Sequence, residues 1–468
     1  MLFNSLQFIL FFVVVFVLYY AICDKYRYIV LLIASYLFYG IANIKYLPLL
    51  VIITLITYFG GILIKQISVK KQKKIILLLT VVLCLSFLLY FKYFNFLLES
   101  INYIFLSNFS IKKIIIPLGL SFFCLQAISY PIDVYRKDVE VEKNIFRYAL
   151  FVSFFPQILS GPIGKSKEML KQFREEHKFN IDNVYSGFMI AIFGYFQKIV
   201  IADLLAYGVN NVYNNLHHFS GLPILIVVFM YSFQIYFDFA SYSNIARGCA
   251  KMLGYDLINN FNSPYFADSI KNFWSRWHIS LSTWFRDYLY FPLGGNRKGK
   301  IRTCINIMIV FIVSGLWHGA SYTYIVWGLL HGIFQVIDRL INKKSNIKIL
   351  NIIFTFLLVT FAWIFFRANT INDAFYVLNN MFNINFLNIK SQIASIGFDK
   401  FDLLVLIVSM LIVFAIELIN QKRNALKILK KRPVFVRYMV ILFLIFSIIV
   451  FGYYGPGFEE SQFIYLGY

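Results

Sequence analysis

Runs of about 20 apolar residues recur along the whole chain, and each is long enough to cross a lipid bilayer as a helix. Of the 468 residues, 60% are hydrophobic and only 14% are charged, and the mean hydropathy is +0.70. A soluble globular domain carries about a quarter charged residues. The composition therefore excludes a soluble globule and predicts a polytopic membrane protein.

Thirteen segments are candidate spans, of which two or three are short or interrupted. They lie near residues 6–22, 28–43, 46–64, 75–92, 114–132, 145–163, 183–205, 222–239, 301–317, 322–341, 349–366, 401–419 and 433–453. We expect an all-α integral membrane protein with about 11–13 transmembrane helices and additional re-entrant and interfacial helices. The chain is expected to form one domain, residues 1–468, with an extracytoplasmic tail at 454–468.

The formal net charge of +22 comes from Lys and Arg clusters in short loops between the apolar segments. Such clusters are typical of cytoplasmic loops, so they predict the orientation of the chain in the membrane. The positive charge is therefore not taken as a sign of nucleic-acid binding. The clusters expected in the cytoplasm are 65–74, 165–178, 297–302, 343–348 and 422–432. The segments then expected outside are the N-terminus, the loops 208–221 and 367–400, and the C-terminal tail.

This orientation alternates correctly only if segment 145–163 enters and leaves on the same side. Pro156, Gly161, Pro162 and Gly164 break a helix there, which predicts a re-entrant segment lining a cavity. The first apolar segment lacks a basic region and a small-residue cleavage site, so we interpret it as a retained span. The five cysteines have no paired spacing, which predicts core residues and neither disulfides nor a metal site.

Residues 273–288 follow a helical period, with aromatic residues on one face and Arg276 and Arg286 on the other. This pattern predicts an amphipathic helix that does not span the membrane. Two interpretations stay open. The helix is an aromatic anchor at the lipid headgroups, or it lies beneath a cavity into which His278 points.

Residues 292–300 form a Gly-rich turn with three cations, in which backbone N–H groups and point charges can hold phosphates. A cytoplasmic loop that contacts anionic lipid explains the same residues equally well. Asn296 and Arg297 of this turn, together with Arg276 and Arg286, are the candidate anion-binding residues.

His318 ends an apolar span between Trp317 and Gly319, where the glycine and Ala320 are expected to leave room for a ligand. An imidazole there can act as a base near neutral pH, and ionisable groups in membranes are often functional. A histidine hydrogen-bonded between helices is the alternative. His331, in the middle of a span, is expected to be a packing or polar-network residue. Motifs for nucleotide binding, zinc proteolysis or a serine nucleophile are absent from the sequence. The residue patterns alone therefore predict a membrane protein with a histidine-centred cavity and no more specific function.

Several longer motifs carry a more specific likeness. They are Pro117 to Tyr135 (PLGLSFFCLQAISYPIDVY), Phe155 to Ile163 (FPQILSGPI), Tyr236 to Ser243 (YFDFASYS), Trp274 to Asn296, and Gly315 to Ser321 (GLWHGAS). With these motifs the chain resembles the membrane-bound O-acyltransferase family, in the branch of the alginate O-acetylase and peptidoglycan O-acetyltransferase membrane subunits.

The resemblance implies that His318 is the catalytic base and that His278 is a second histidine lining a reaction tunnel. It implies a ring of helices around that tunnel, with acetyl-CoA as the cytoplasmic acyl donor, no bound cofactor, and the four anion-binding candidates as donor contacts. The acceptor is then an envelope polysaccharide, reached in the bacterial cytoplasmic membrane through a periplasmic or cell-surface partner that resembles SGNH hydrolases.

Members of this branch end in a motif similar to Phe-Ile-Tyr-Phe-x-Phe, whose tyrosine is thought to carry the acyl group. This chain ends Phe463-Ile-Tyr-Leu-Gly-Tyr468, so the resemblance implies a relay role for Tyr465, although Leu466 and Tyr468 depart from the motif. Two other functions remain open: a teichoic acid D-alanyl transferase, which shares the motifs, and a polysaccharide transporter or flippase. A transporter is expected to carry inverted repeats, which the sequence lacks.

Overall fold

The computed structural model describes residues 1, 3–112, 114–341, 345–454 and 463–464. Regular structure in these ranges is helical. Nine of the described helical stretches are at least 18 residues long and apolar enough to cross a membrane. The prediction of an all-α polytopic membrane protein is confirmed.

The structure has fewer long apolar stretches, nine in the described residues, than the 11–13 spans that were expected, for two reasons. The stretch Asp24–Gln66 contains two of the predicted spans, joined by a short 3-10 turn. Three other predicted spans form helices of fewer than 18 residues, Leu6–Ala21, Leu120–Arg136 and Ile145–Ser153.

The chain divides into two compact units, and the first comprises residues 1–191 and 246–258. Its helices are α1 (Leu6–Ala21), α2 (Arg27–Asn43), α3 (Leu47–Gln66), α4 (Lys70–Leu88), α5 (Phe94–Phe105), α6 (Leu120–Arg136), α7 (Ile145–Ser153), α8 (Ser166–Arg174) and the start of α9 (Ile181–Tyr195). Aromatic rings of Phe8, Phe38 and Phe155 form part of its core, with centroids 5.9 to 6.4 Å apart.

Helix α7 ends at Ser153, and the chain then turns through residues 155–160 while staying buried. Polar side chains satisfy the backbone of this break. The Ser35 hydroxyl accepts from the Phe155 N–H at 3.0 Å, and the side-chain amide oxygen of Gln126 accepts from the Gly164 N–H at 3.0 Å. The helix therefore breaks within the segment that was expected to be re-entrant, and it does so where protein groups replace water as hydrogen-bond partners.

The second unit comprises the described residues of 192–245 and 259–467. Its helices are α10 (Asp203–Asn214), α11 (Leu222–Met252, which ends in the first unit), α12 (Ile270–Trp274), α13 (Ile279–Phe285), α14 (Gly299–His318), α15 (Tyr322–Ile341), α16 (Lys348–Arg367), α17 (Ile371–Asn380), α18 (Ile389–Ala394), α19 (Lys400–Lys422), α20 (Ala425–Lys430) and α21 (Val434–Phe451). Helices α14 and α15 approach closely because Gly315 and Gly328 face each other's backbone, where a Cβ would overlap a carbonyl.

Within the part of the chain that the structure describes, three π-helical segments interrupt the α-helices, at Leu89–Tyr93, Phe196–Ala202 and Arg286–Tyr290. A π-helical segment shifts the direction of the side chains that it carries and is frequent at functional sites. The segment Phe196–Ala202 joins α9 to α10 and carries the buried residue Lys198.

Candidate functional site

His278 lies at a break in the segment that was predicted to be one amphipathic helix. Helix α12 ends at Trp274 and α13 begins at Ile279, and His278 between them has the left-handed backbone conformation φ 43°, ψ 54°. A residue with a Cβ adopts this conformation at an energetic cost, and such strain concentrates at functional sites. The prediction of a continuous helix over 273–288 is therefore wrong at residue 278.

Asn260 holds the chain on the C-terminal side of this break. Its backbone carbonyl accepts from the Ile279 N–H at 3.0 Å, and its side-chain oxygen accepts from the Ser280 N–H at 3.1 Å. The Asn260 amide in turn donates to the Ser243 hydroxyl at 3.1 Å. These bonds give partners to N–H groups at the start of α13, so they compensate for the interrupted helix. Asn260 was not among the residues predicted from the sequence.

The imidazole of His278 is enclosed by aromatic rings. Its side chain is 1% exposed, with the Phe239 ring centroid 4.6 Å away and the Trp317 centroid 6.2 Å away, both edge-on. Burial lowers the pKa of His278 to about 3, because the charged imidazolium loses its hydration there. His278 is therefore neutral at physiological pH.

His318 is the last residue of α14 and is 3% exposed. Its ring lies edge-on to Trp317, Trp327 and Phe366, with centroid separations of 5.0, 4.9 and 5.4 Å. The space expected beside Gly319 is occupied, because a Cβ at that position would overlap the ring of Tyr324. The expectation that Gly319 leaves room for a ligand is therefore wrong, and the glycine serves close packing with Tyr324.

His331 on α15 lies in the same aromatic cluster and accepts a hydrogen bond. The Trp274 indole N–H donates to His331 Nδ1 at 3.3 Å, and the Trp274 and Trp327 centroids lie 4.9 and 5.0 Å from the imidazole. In the neutral ring the proton is then on Nε2. These contacts agree with the expected packing and polar-network role.

The family to which this chain belongs follows from comparison with known proteins. The model of MBOAT, the membrane-bound O-acyltransferase family, matches residues 39–372. The chain belongs to this family. It is therefore an acyltransferase with multiple membrane-spanning helices.

Similar curated proteins include acetyltransferases of two kinds. A probable alginate O-acetylase of Pseudomonas putida is 38% identical over 392 residues, covering 82% of this chain and 80% of the relative. A peptidoglycan O-acetyltransferase of Helicobacter pylori is 37% identical over 387 residues, covering 76% and 73%. A teichoic acid D-alanyltransferase of Bacillus subtilis is 30% identical over 274 residues, covering 54% and 68%.

The four donor-contact candidates of this MBOAT protein lie in different surroundings. Arg276, two residues before His278, is half-buried and donates from Nε to the Asn272 side chain at 2.8 Å. Arg286 is exposed and pairs with Asp287 at 2.9 Å. Asn296 and Arg297 are exposed.

The Gly-rich turn uses its backbone N–H groups internally. The N–H groups of Gly294, Gly295 and Arg297 donate to Phe291, Tyr290 and Gly294 carbonyls at 2.9 to 3.2 Å. A phosphate at this turn would therefore be held mainly by the side chains of Arg297, Lys298 and Lys300, which are exposed.

Helix α14 separates this turn from His318. The helix has 20 residues, begins at Gly299 and ends at His318, so its length is about 30 Å, close to the thickness of the hydrocarbon core of a bilayer. Asn296 and Arg297 therefore lie at the opposite end of α14 from the catalytic candidate, whereas Arg276 lies two residues from His278 in the chain.

A buried charged cluster was missed by the sequence analysis. The Lys198 ammonium, which is fully buried, lies 2.8 Å from an Asp203 carboxylate oxygen and 2.7 Å from one of Asp238. Charged residues within the predicted spans 183–205 and 222–239 were a usable signal, because such residues are costly in a membrane. Tyr465, the proposed relay residue, lies outside the described residues.

Proposed function

We propose that this MBOAT protein transfers acetyl groups from cytoplasmic acetyl-CoA to hydroxyl groups of an extracytoplasmic envelope polysaccharide, in the cytoplasmic membrane of a bacterium. The observation that carries the proposal is the 37–38% identity, over 76–82% of the chain, to proteins named as alginate and peptidoglycan O-acetylating enzymes. Likeness to a D-alanyltransferase is weaker and covers 54% of the chain, so acetyl is favoured over D-alanyl.

His318 is the base of the proposed reaction. Its imidazole removes the proton from an acceptor hydroxyl, whose oxygen attacks the thioester carbonyl. The C–S bond then breaks and the thiolate of coenzyme A takes the proton from the imidazolium. A positioned base of this kind contributes about 10²- to 10⁴-fold to the rate.

The surroundings of His318 support acyl transfer over hydrolysis. Trp317, Trp327 and Phe366 enclose the ring, so few water molecules can compete with the acceptor hydroxyl for the thioester. His278, which is neutral and also contacts the Trp317 ring, shapes this enclosure and is proposed to line the path of the acyl group.

The proposed sidedness follows from charge. The basic cluster 297–302 lies at the start of α14 and belongs on the cytoplasmic side by the positive-inside rule. His318, at the far end of the same helix, is then nearer the outer surface. Arg276, Arg286, Asn296 and Arg297 are proposed to contact the donor. For Asn296 and Arg297 this contact is with the part of the donor that stays at the cytoplasmic entrance.

Tyr465 is proposed to be the first acceptor. Its phenol oxygen would take the acetyl group as an aryl ester and pass it to an SGNH-hydrolase-like partner outside the membrane, which completes transfer to the polysaccharide. Replacing Tyr465 by Phe tests this step, because the ring remains and only the hydroxyl is lost. Polysaccharide acetylation at the wild-type level in Tyr465→Phe would exclude the relay while leaving the role of His318 intact.

Donor identity can be tested with inverted membrane vesicles that expose the cytoplasmic face. Vesicles containing the wild-type protein should transfer label from radioactive acetyl-CoA to protein or glycan, and His318→Ala vesicles should not. Labelling by a D-alanyl carrier protein, with none from acetyl-CoA, would instead assign the teichoic acid reaction. Transport of unmodified polysaccharide without any labelling would contradict the acyl-transfer proposal.

A further inference from the structure

The charged cluster of Lys198, Asp203 and Asp238 lies inside the second unit, on segments that are otherwise apolar. Lys198 is on the π-helical segment Phe196–Ala202, and Asp238 is on α11. The side chains are 0%, 7% and 5% exposed in the order Lys198, Asp203, Asp238. Burying three charged groups is unfavourable unless they pair with each other and with further hydrogen-bond donors.

One such donor comes from the C-terminal tail. The backbone N–H of Ile464 donates to Asp238 Oδ2 at 2.8 Å, whereas Lys198 contacts the other oxygen of the same carboxylate. Asp238 therefore bridges the lysine and the tail. A hydrogen bond from a backbone N–H to a carboxylate is one of the stronger kinds in proteins.

The aromatic ring of Phe463 makes a second contact with the cluster. Lys198 Nζ lies 4.3 Å from the centroid of this ring, which is within the range of a cation–π interaction. The Tyr242 ring lies edge-on to Phe463 at 5.0 Å, and Phe463 is 1% exposed. The tail thus inserts a buried side chain here.

The chain just before the tail is held at the neighbouring position of the same π-helical segment. The Tyr453 N–H donates to the Ile199 carbonyl at 2.9 Å, and Gly452 lies so close to the Ile199 side chain that a Cβ would meet it at 2.7 Å. Tyr453, just before the tail, and Phe463, within it, therefore contact the consecutive residues Ile199 and Lys198.

We propose that Lys198, Asp238 and Tyr242 form a binding site for the C-terminal segment Phe463–Ile464. The site recognises the backbone N–H group of Ile464 and the aromatic ring of Phe463. Asp203 holds the Lys198 ammonium in place. Since Tyr465 follows Ile464 in the chain, the site is a positioning site for Tyr465; this consequence rests on the proposed function, whereas the binding itself does not.

The mode of recognition predicts which tail substitutions are tolerated. Asp238 binds the backbone N–H of Ile464, so Ile464→Val should bind as well as the wild type. Phe463 contributes its aromatic face to Lys198, so Phe463→Leu keeps an apolar side chain but loses the cation–π contact. Asp238→Asn keeps the side-chain shape and removes the charge that accepts from both Lys198 and Ile464.

Hydrogen–deuterium exchange of the full-length protein in detergent micelles tests the site without measuring acetylation. In the wild type, the C-terminal peptide should contain a slowly exchanging amide. In Asp238→Asn and in Phe463→Leu its exchange should accelerate roughly tenfold or more, as expected for the loss of a charge-assisted contact. Tyr236→Phe is the matched control. Tyr236 lies two residues from Asp238 in the chain, and the substitution removes its buried hydrogen bond to Glu417 but leaves Lys198, Asp238, Tyr242 and Phe463 unchanged.

A double substitution separates docking from general destabilisation. Exchange of the C-terminal peptide in the double variant Asp238→Asn, Phe463→Leu should rise no further than the rate of an unstructured peptide while the helical peptides keep their wild-type exchange, whereas a generally destabilised protein would exchange faster in its helical peptides as well. Phe463 lies beyond α21, so Phe463→Leu provides the test even if Asp238→Asn fails to fold. A wild-type tail that exchanges like an unstructured peptide, or unchanged exchange in both single variants, would overturn the proposal.

An acetylation assay on the same variants distinguishes this inference from the proposed function. Faster tail exchange together with reduced acetylation supports both the binding site and its positioning role. Faster exchange with wild-type acetylation supports the binding site and removes the relay role of Tyr465 from the proposed function.

Discussion

The imidazole of His278 lies edge-on to the indole of Trp317, with ring centroids 6.2 Å apart and planes inclined by 63°. Trp317 precedes His318 in α14, and its ring lies 5.0 Å from the His318 ring. One indole therefore contacts both histidines, although they are 40 residues apart in the chain. A substitution at either histidine can displace the other through this shared ring. Each substitution therefore needs a control that separates a loss of catalysis from a loss of packing.

Replacing His318 by Ala should lower polysaccharide acetylation by about 10²- to 10⁴-fold, because the proposed general base is removed. The measurement is ester-linked acetate on purified glycan, normalised to the amount of protein in the membrane. His331→Ala is the control for loss of a buried imidazole from the same aromatic cluster. A His318→Ala variant that is normally inserted and retains wild-type acetylation would exclude the catalytic role.

Replacing His278 by Asn and by Ala distinguishes the contribution of its imidazole from that of its left-handed backbone conformation. Asn tolerates the left-handed conformation better than Ala does, so His278→Asn should retain more protein in the membrane than His278→Ala. Both variants should lose less activity per folded molecule than His318→Ala. If His278→Asn loses as much activity as His318→Ala while its abundance is normal, the two histidines must exchange roles.

Acid should destabilise the wild type through His278. The ordinary histidine pKa of 6.5 applies to the unfolded chain, and burial lowers the folded pKa to about 3. Below about pH 6.5 the unfolded state binds the proton and the folded state does not, so stability falls as the pH decreases from there towards the folded pKa.

This pH effect can be measured as the difference in thermal midpoint between wild type and His278→Asn in detergent. The stability of the wild type relative to the variant should be constant above about pH 7 and should decline as the pH falls towards about 5. A difference that is independent of pH over this range would show that His278 gains a proton in the folded state as readily as in the unfolded chain.

Gly319→Ala should disturb the site by displacing the ring of Tyr324, which a Cβ at residue 319 would overlap. Tyr324 contacts Phe366 at 4.9 Å between centroids, and Phe366 contacts His318 at 5.4 Å. Overpacking of this kind costs about 1–3 kcal/mol, so we expect lower thermal stability and reduced acetylation. Adding Tyr324→Leu should restore part of both losses, and the absence of any restoration would place the disturbance elsewhere.

Orientation can be checked with single cysteines in a background without native cysteines. Asn296 and Ser220 are both exposed, so reactivity reports the side of the membrane more than burial. Cys at position 296 should resist an impermeant thiol reagent applied to intact cells or spheroplasts, whereas Cys at position 220 should react. Both should react after permeabilisation, and the reverse pattern in intact cells would invert the topology.

The sequence by itself predicted the helices, because a run of apolar residues has one stable arrangement in lipid. Backbone groups must be satisfied within the segment, so the run becomes a helix. The segment expected at 322–341 is the helix Tyr322–Ile341, and the segment expected at 28–43 is Arg27–Asn43. The end of α7 before Pro156 was also predictable, since proline and glycine act locally on the backbone.

Only the tertiary structure decided the geometry around the two histidines and the tail. Residues 273–288 keep a helical period in sequence, yet the helix breaks at His278, where Asn260 supplies hydrogen bonds from a distant part of the chain. The space beside Gly319 is filled by the ring of Tyr324. The Ile464 N–H donates to Asp238, which is more than 200 residues away in the chain. Periodicity records which side of a segment is apolar, whereas a broken helix, a filled gap or a buried charge is stabilised by partners that are distant in the chain and become neighbours only on folding.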